Sequence, residues 1–490
     1  MSEKIKNRYE RRVPGRYHAI IILIGLLVLA GCATVGPDYV PPELQLPKQW
    51  NSISGDAQKQ NAKQLAKWWE ALNDPMLTSL INRAAADNLD IKEARSRVRQ
   101  ARLQRLKTKS SLFPMLDASG AARKSYNSNS RDESELYTAG FDAGWELDLF
   151  GGIRRAVEAS QADLEAENES LHDVMVTLLA EVAVNYIDLR TYQARLTVAK
   201  SNVASQQETW ELLNALSQAG RGDELALTQA RYNLESSRSR IPDLNTGLEA
   251  AINRLSVLIG QAPGSLRAEL ADVRPIPSVS IELAVGVPAD VIRQRPDIRQ
   301  AERELAAQTA RIGEAEADLY PKFTLSGSIG LEALSLDKLF SSTDQNWAFG
   351  PSFSWPIFNA DNIRNNVKVQ AELQNQAFIR YEAAVLSALE DIENALVTYA
   401  NEQQKLKNLQ IAADAARSAA ELAEQQYTTG MVGFSDVLDA QRSLLSFEND
   451  LVETRGSVLS DLIRLYKALG GGWQSISNRS NPSLSKINKG

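Results

Sequence analysis

Cysteine and histidine are almost absent from this sequence of 490 residues, which has one cysteine, Cys32, and two histidines, His18 and His172. A disulfide within the chain is therefore impossible, and zinc sites or Cys–His nucleophilic sites of the usual ligand type are nearly excluded. His172 lies in the helical pattern "ESLHDVMV", where an exposed or helix-facing histidine is far commoner than a metal ligand. These absences argue against a thiol or zinc enzyme.

Long hydrophobic runs are scarce as well. The run "AIIILIGLLVLAGC" follows six basic residues, and at about 13 residues it is too short to span a bilayer as a helix and typical of a secretory signal. A bare transmembrane anchor is the alternative. The run ends in "LAGC", which resembles a bacterial lipobox. We therefore expect residues 1–31 to be a lipoprotein signal peptide and Cys32 to carry covalent lipid that anchors the chain. Ala33, in place of aspartate, indicates the outer membrane by the common sorting rule.

Positive charge is in deficit once the signal peptide is removed. The mature chain has 48 basic and 59 acidic residues, a net charge of −11. Nucleic-acid binding requires a basic surface, so we expect no nucleic-acid partner.

Proline and glycine are missing from two stretches, 153–219 and 361–429. Both stretches place mainly apolar residues at alternating spacings of four and three, which predicts coiled-coil seams. We therefore predict two long helices, at 152–219 and 361–429, each roughly 100 Å long at about 1.5 Å per residue. An ordinary helical bundle would need loops that these stretches do not supply.

The chain reads as two similar halves, offset by about 207 to 210 residues. "NLDIKEARSRV" at 88–98 matches "RPDIRQAEREL" at 295–305, and Gly220 matches Gly430. A duplication this long makes each half one large structural unit. The predicted organisation is an N-terminal lipidated segment and collar at 32–87, a first repeat at 88–260, a connecting segment at 261–294, a second repeat at 295–470, and a flexible tail at 471–490.

Two pairs of strands are predicted between the helices of the repeats. In "TAGFDAGWELDLF" and "NWAFGPSFSWPIF" large apolar residues alternate with small or acidic ones. Strands of about ten residues with one apolar face suit a membrane, although a half-buried soluble sheet alternates too. Four strands cannot close a membrane barrel, so several chains must share one.

The fold class is therefore α+β, with two repeats of very long coiled-coil helices and a β-hairpin each. The first repeat has a helix at 88–113, strands at 115–126 and 137–150, the long helix at 152–219 and a helix at 223–260. The second has a helix at 296–320, strands at 322–332 and 346–358, the long helix at 361–429 and a helix at 434–470.

With these features in place, the chain resembles the TolC-type outer-membrane efflux proteins, or outer membrane factors, and specifically their NodT-type lipoprotein branch. The motifs that carry the resemblance run in order from Cys32 to Trp473: "VGPDYVPPE", "WWEALNDPML", "WELDLFGGIRRA", "RPDIRQAE", "YPKFTLSG", "WPIFNADNIR", "DVLDAQRSLL" and "LYKALGGGW". The resemblance implies a homotrimer with one twelve-stranded membrane β-barrel continued by a twelve-helix periplasmic α-barrel. It also implies a location in the outer membrane, in contact with its lipid.

The resemblance implies a gated exit duct and no enzyme activity. The duct would pass small molecules to the exterior from a periplasmic adaptor (membrane fusion) protein and a proton-driven inner-membrane pump. The covalent lipid on Cys32 would be its one attached group, with no cofactor or metal. The alternatives are the duct of a type I protein secretion system, a lipidated periplasmic coiled-coil adaptor and a soluble structural coiled coil. An adaptor would have one helical hairpin with flanking β domains, and a soluble coiled coil would not need strands with a tryptophan-bearing face.

The resemblance further assigns roles at the turn after the second long helix. Asp436 and Asp439 match two aspartates that ring the closed periplasmic mouth in family members, and three copies of each would favour cations. Capping of the following helix is the other use of Asp436, compatible with the first. An enzymatic pair is disfavoured because no base, nucleophile or metal-ligand cluster accompanies these acids.

Tyr427 matches a family tyrosine that helps to tie the second hairpin to the first. The position expected to carry its acidic partner is Ala226, however, and the position of a locking arginine is Val432. The remaining candidates for a gate lock are Arg221, Asp223 and Glu224. Glycines that would end the helices at the hairpin tips, within reach of an adaptor, are Gly220, Gly222, Gly430 and Gly433.

Overall fold

The computed structural model describes residues 34–43, 50, 66–129, 131–277, 289–341 and 345–474. The predicted signal peptide, the lipid site Cys32 and the tail beyond residue 474 lie outside the described residues. The helices and strands below all belong to the described ranges.

The first half of the chain contains four helices and two strands. A single 3-10 turn at Trp68–Leu72 precedes them. The elements are α1 (Pro75–Asp87), α2 (Leu89–Ser110), β1 (Met115–Asn127), β2 (Asp132–Leu147), α3 (Gly152–Gln218) and α4 (Glu224–Leu258).

The second half repeats this order without a counterpart of α1. Its elements are α5 (Pro296–Ala317), β3 (Lys322–Ala333), β4 (Gln345–Ser354), α6 (Asn362–Thr428) and α7 (Phe434–Ala468). Helices α3 and α6 have 67 residues each, and α4 and α7 have 35 residues each. The equal lengths confirm the predicted duplication and the two very long helices.

Several predicted boundaries were wrong. The helix predicted at 88–113 is α2, and α1 lies before it, within the predicted collar. Asn88 separates the two helices because its Oδ1 accepts hydrogen bonds from the N–H groups of Asp90 and Ile91, at 2.8 and 3.1 Å. Strand β2 ends before Asp148, not at residue 150, since that carboxylate accepts from the Arg154 N–H at 2.9 Å and caps α3.

Strand β4 ends at Ser354 and not at residue 358, just before Trp355 and Pro356. Helix α5 likewise ends at Ala317, where residue 320 was predicted. The start of β2 was wrong as well, since the strand begins at Asp132 and residue 137 was predicted. The remaining ends lie within three residues of the observed ones, close to the ordinary uncertainty of element ends.

The chain divides into two compact units. Unit 1 comprises Met1–Pro42, Val98–Ala166 and Ala301–Tyr381, and it contains the whole sheet. Unit 2 comprises Glu43–Arg97, Glu167–Gln300 and Glu382–Gly490, and it contains α1, α4, α7 and the turns that follow α3 and α6. Each repeat contributes to both units, because α3 and α6 have residues in both.

The sheet of unit 1 is antiparallel, in the order β1-β2-β3-β4. Its register aligns large apolar residues across strands: Phe141 pairs with Ile329, which pairs with Trp347. Small and acidic residues form the alternate rows, as where Asp142 pairs with Ser328. The predicted alternation is therefore confirmed. Trp347 is 78% exposed, so the sheet presents an uncovered apolar face within the described part of the chain.

Unit 2 has a dense core between α1 and α3, in which Leu77 and Tyr186 are fully buried. Arg190 is buried beside them, and its guanidinium donates to the Tyr186 hydroxyl at 3.0 Å and to the Asp272 carbonyl at 2.8 Å. Burial, reinforced by the hydrogen bond to Asp74, raises the pKa of Tyr186 to about 12, so its hydroxyl stays protonated. Hydrogen bonds of this kind satisfy the buried polar groups of the core.

Candidate gate at the helical turns

The turns after α3 and α6 have the same backbone structure. Gly220 and Gly430 adopt φ angles of 73° and 74°, in the left-handed region. The N–H of Arg221 bonds to the Leu216 carbonyl at 3.0 Å, and the N–H of Met431 bonds in the same way to its partner five residues earlier at 2.9 Å. This is the Schellman pattern that ends helices at glycine. The conformational role predicted for Gly220 and Gly430 is confirmed, while an adaptor contact stays a prediction.

Gly222 and Gly433 serve the turns differently. A Cβ on Gly222 would overlap the backbone of Ser217, so the first turn needs glycine for close approach. Gly433 is the N-cap of α7, and its N–H donates to Asp436 Oδ2 at 3.0 Å. Asp223 is the N-cap of α4 and accepts from the Leu225 N–H at 2.9 Å.

Both aspartates predicted to form rings are exposed on α7. Asp436, at the third position of α7, accepts the bond from the Gly433 N–H and so makes the half of a capping box that a glycine N-cap allows, which confirms the alternative structural use of this residue. Asp439 lies one turn further, with its side chain 77% exposed and its Oδ1 3.4 Å from Arg442 Nη1. The two carboxylates share a face of α7, as their spacing requires. The ring role remains a prediction.

An apolar cluster joins the two hairpins at the turns. Its buried members are Leu213 of α3, Ala226 and Ala230 of α4, and Phe434, Val437 and Leu438 of α7. Tyr427 of α6 packs against this cluster, with its ring centroid 5.4 Å from that of Phe434. Ala226 is 2% exposed. An acid at this position would be desolvated among apolar side chains, which explains why the expected acidic partner of Tyr427 is missing.

A polar contact between the hairpins was not predicted. Arg442 of α7 donates to the Tyr232 hydroxyl and to Asn233 Oδ1 of α4, the latter at 3.1 Å. Its guanidinium carbon also lies 5.2 Å from the centroid of the Tyr232 ring. Of the predicted lock candidates, Tyr427 lies between the hairpins, Asp223 caps its helix, and Arg221 and Glu224 are exposed at the first turn.

The repeat itself held a signal for this contact. Tyr232 and Arg442 are separated by 210 residues, the offset of the two hairpins, so equivalent positions of the two repeats touch each other. The sequence shows that Tyr232 and Arg442 are equivalent positions of the two repeats. That they touch follows only from the packing of α4 against α7. Within the described residues, no group of three or more His, Cys, Asp or Glu side chains is placed to hold a metal ion.

A sheet with one exposed apolar face, connected to two hairpins of very long helices, defines an outer-membrane channel with a helical tunnel. The chain belongs to the outer membrane efflux protein family, whose model matches residues 80–261 and 287–471. The two matched segments correspond to the two repeats.

Similar proteins cover almost the whole chain. "Nodulation protein T" of Rhizobium leguminosarum bv. trifolii is 32% identical over 92% of this chain and 96% of the relative. The "Solvent efflux pump outer membrane protein SrpC" of Pseudomonas putida is 31% identical over 93% of this chain and 98% of the relative. A solved structure of the outer-membrane channel OprN is 35% identical, covers 90% of this chain and 100% of its own, and superposes with a TM-score of 0.83.

These comparisons confirm the predicted family and its NodT branch, the TolC-type fold and the location in the outer membrane. They also confirm the predicted function, an outer-membrane exit duct for efflux.

Proposed function

We propose that three copies of this chain form one gated duct across the outer membrane and the periplasm. The observation that carries this proposal is the open four-stranded sheet, in which β1 and β4 are edge strands. Unpaired strand edges are not tolerated in lipid, and the smallest membrane barrels have about eight strands. Three sheets joined edge to edge give twelve strands, and four long helical elements per chain give a tunnel of twelve helices. The exposed face that includes Phe141, Ile329 and Trp347 then meets the membrane.

The duct carries small molecules delivered by a periplasmic adaptor and a proton-driven inner-membrane pump. The name of the relative SrpC, a solvent efflux pump component, supports this class of cargo. A duct needs neither a catalytic group nor a cofactor, and we propose that this chain has neither. Polypeptide export through a type I secretion system is the second candidate, and it is distinguished by its cargo.

The gate of this duct lies at the turns after α3 and α6. The apolar cluster and the contact of Arg442 with Tyr232 hold the two hairpins together in the closed state. Asp436 and Asp439, repeated in three copies, form carboxylate rings around the axis that favour cations. Crowded like charges repel, so binding of an adaptor at the turns needs to supply only part of the opening energy.

The anchor is a lipid on Cys32, at the periplasmic face of the outer membrane. The described residues next to Cys32 support this position. The Val35 N–H donates to the Phe150 carbonyl at 3.1 Å, beside the start of α3. Arg155 donates to the Val35 carbonyl at 3.0 Å and to Asp38 at 2.8 Å, and its side chain is 3% exposed. This segment is therefore held close to the end of β2, where the barrel would leave the membrane.

A strain that lacks the gene, complemented with wild type or variants, tests the cargo. We expect the deletion strain to accumulate an organic dye or solvent and the wild-type gene to restore efflux. Purified protein should also form channels in planar bilayers. Restored protein secretion without restored efflux would support the type I duct instead. A protein found in the soluble periplasm, without channel activity, would contradict both.

The lipid is tested separately by mass spectrometry of the mature protein with Cys32→Ser as the control. We expect wild type to begin at a diacylated or triacylated Cys32 and the variant to lack that mass. An unmodified Cys32 in wild type would refute the anchor without affecting the duct.

A further inference from the structure

Two glycines allow α3 to approach two other helices of unit 2 closely. A Cβ built on Gly247 of α4 would overlap the ring of Tyr192. A Cβ built on Gly456 of α7 would overlap the side chain of Thr191. Thr191 and Tyr192 are neighbours in α3, so α4 and α7 both pack closely against the same turn of this helix, each through the notch that a glycine leaves in its surface. We call these four residues the three-helix joint.

The joint lies at one level of the two hairpins. Gly247 is 23 residues beyond Glu224, where α4 begins, and Gly456 is 22 residues beyond Phe434, where α7 begins. At about 1.5 Å per residue, both glycines lie roughly 35 Å from the turns. Close-packed interiors resist small changes of volume, so backbone contacts through glycine hold the helices firmly at this level.

Helix α4 contains a proline five residues closer to its turn, Pro242. Proline has no N–H to donate, so the carbonyl of Arg238 loses its bond within the helix. In addition, the Thr246 hydroxyl donates to the Pro242 carbonyl at 3.0 Å, four residues back, a contact that often bends helices. The helix is therefore weakened between the joint and the turn.

Space for bending lies next to this weak point. A cavity of about 290 Å³ lies between α3, α4 and α7. Its lining includes Arg195, Arg240, Asp243, Leu445 and Asn449. Arg195 bridges the helices there, donating to Asn449 Oδ1 at 2.9 Å. A polar cavity adjusts to a changed helix angle more easily than a close-packed apolar core does.

The weak point occurs in one hairpin alone. The position of α7 that matches Pro242 in the repeat offset is Val452, and no proline occurs in α7. Each hairpin has a glycine at nearly the same level, Gly456 lying one residue short of the position that matches Gly247, but only α4 has the proline. The two hairpins therefore share the joint but differ in stiffness beyond it.

We propose that the three-helix joint is a fixed fulcrum and that Pro242 is the hinge at which the turn-proximal part of α4 bends when the duct opens. This proposal rests on the gating function proposed above. Bending at Pro242 moves Tyr232, ten residues away, relative to Arg442 of α7, and so releases the contact between the hairpins. Helix α7, without a proline, moves as a stiff lever.

The hinge is tested in the Arg442→Ala variant, whose channels we expect to open more often than those of wild type. In planar bilayers, adding Pro242→Ala to this variant should reduce the frequency of openings by about tenfold, which corresponds to roughly 1.4 kcal/mol. The matched control is Asn245→Ala, an exposed position of the same helix, which restores no hydrogen bond and should leave the frequency unchanged. If Arg442→Ala alone fails to increase openings, the proposed gate is wrong. If it does and Pro242→Ala has no effect, the hinge is wrong.

Hydrogen exchange gives a readout that does not depend on channel activity. In the full-length protein, Pro242→Ala should slow amide exchange in the peptide covering residues 230–241 and leave that of 212–219 unchanged. Equal exchange in wild type and variant would overturn the hinge.

The fulcrum is tested by rescue. Gly456→Ala should lower the yield of folded channel, and Thr191→Ala in the same chain should restore it, because the smaller side chain vacates the notch. Should the double variant fold no better than Gly456→Ala, the notch contact would not be the cause. A folded Gly456→Ala protein with unchanged gating would refute the fulcrum directly.

Discussion

Replacement of Arg442 by alanine should open the duct. The guanidinium donates to the Tyr232 hydroxyl and to Asn233 Oδ1, and it lies against the Tyr232 ring. A hydrogen bond that involves a charged group is worth roughly 1.5–3 kcal/mol, and an exposed cation–π contact about 0.5–1 kcal/mol. Because the side chain is 42% exposed, screening reduces the sum to about 1–2 kcal/mol per chain. Three chains acting together lose about 3–6 kcal/mol, which favours the open state by roughly 100-fold or more.

Single-channel recording in planar bilayers measures this change as the fraction of time spent in the high-conductance state. Arg442→Lys should give an intermediate result, because lysine keeps the charge but not the planar fork of donors. The matched control is Arg238→Ala. Arg238 has a similar exposure of 44%, but it pairs with Glu235 and Gln207 inside the first hairpin. If Arg442→Ala and Arg238→Ala behave alike, the contact between the hairpins does not hold the gate.

Three further results are expected. Asp439→Ala combined with Asp436→Ala should abolish the channel's cation preference and its block by divalent cations, and unchanged ion selectivity would refute the carboxylate rings. Asp436→Ala alone should also lower the stability of α7 by about 0.5–2 kcal/mol, because the cap is lost. Gly430→Ala should destabilise the protein by about 1 kcal/mol in thermal melts, because the φ angle of Gly430 is positive, although a Cβ there would meet nothing within 4 Å. Gly433→Ala should destabilise it less, because the φ angle of Gly433 is −81°. Burial and, second to it, repulsion from Asp297 raise the pKa of the Asp173 carboxyl in the folded protein. Its contribution to folding stability is therefore present in acid and lost as pH rises through that pKa. Asp173→Asn should raise the melting temperature near about pH 8 and not near about pH 3, and an equal effect at both pH values would contradict this assignment.

Much of the fold was predictable because its signals are periodic. Helices α3 and α6 were predicted to within one residue at each end, since neither contains proline and glycine ends both. The strands were predicted from alternation. One boundary failed where a single side chain decided it, at Asp148. Helix α1 was missed because it has no counterpart in the second repeat.

The candidate site was less predictable, for a physical reason. Asp436 and Asp439 were assigned from the family resemblance of one local motif, and the structure leaves both exposed on one helix. The contact of Arg442 with Tyr232 joins residues that are far apart in the sequence, and it depends on how α4 packs against α7. Ala226 shows the same dependence: its lack of charge is explained by an apolar cluster whose members come from four helices.

The central claim is that three chains share one membrane barrel, and the mass of the intact particle tests it most directly. Protein extracted from the outer membrane in mild detergent should appear in native mass spectrometry as a trimer. On a denaturing gel, the same sample should resist sodium dodecyl sulfate until it is heated. A stable monomer or dimer under these conditions, with four or eight strands available, would contradict the account.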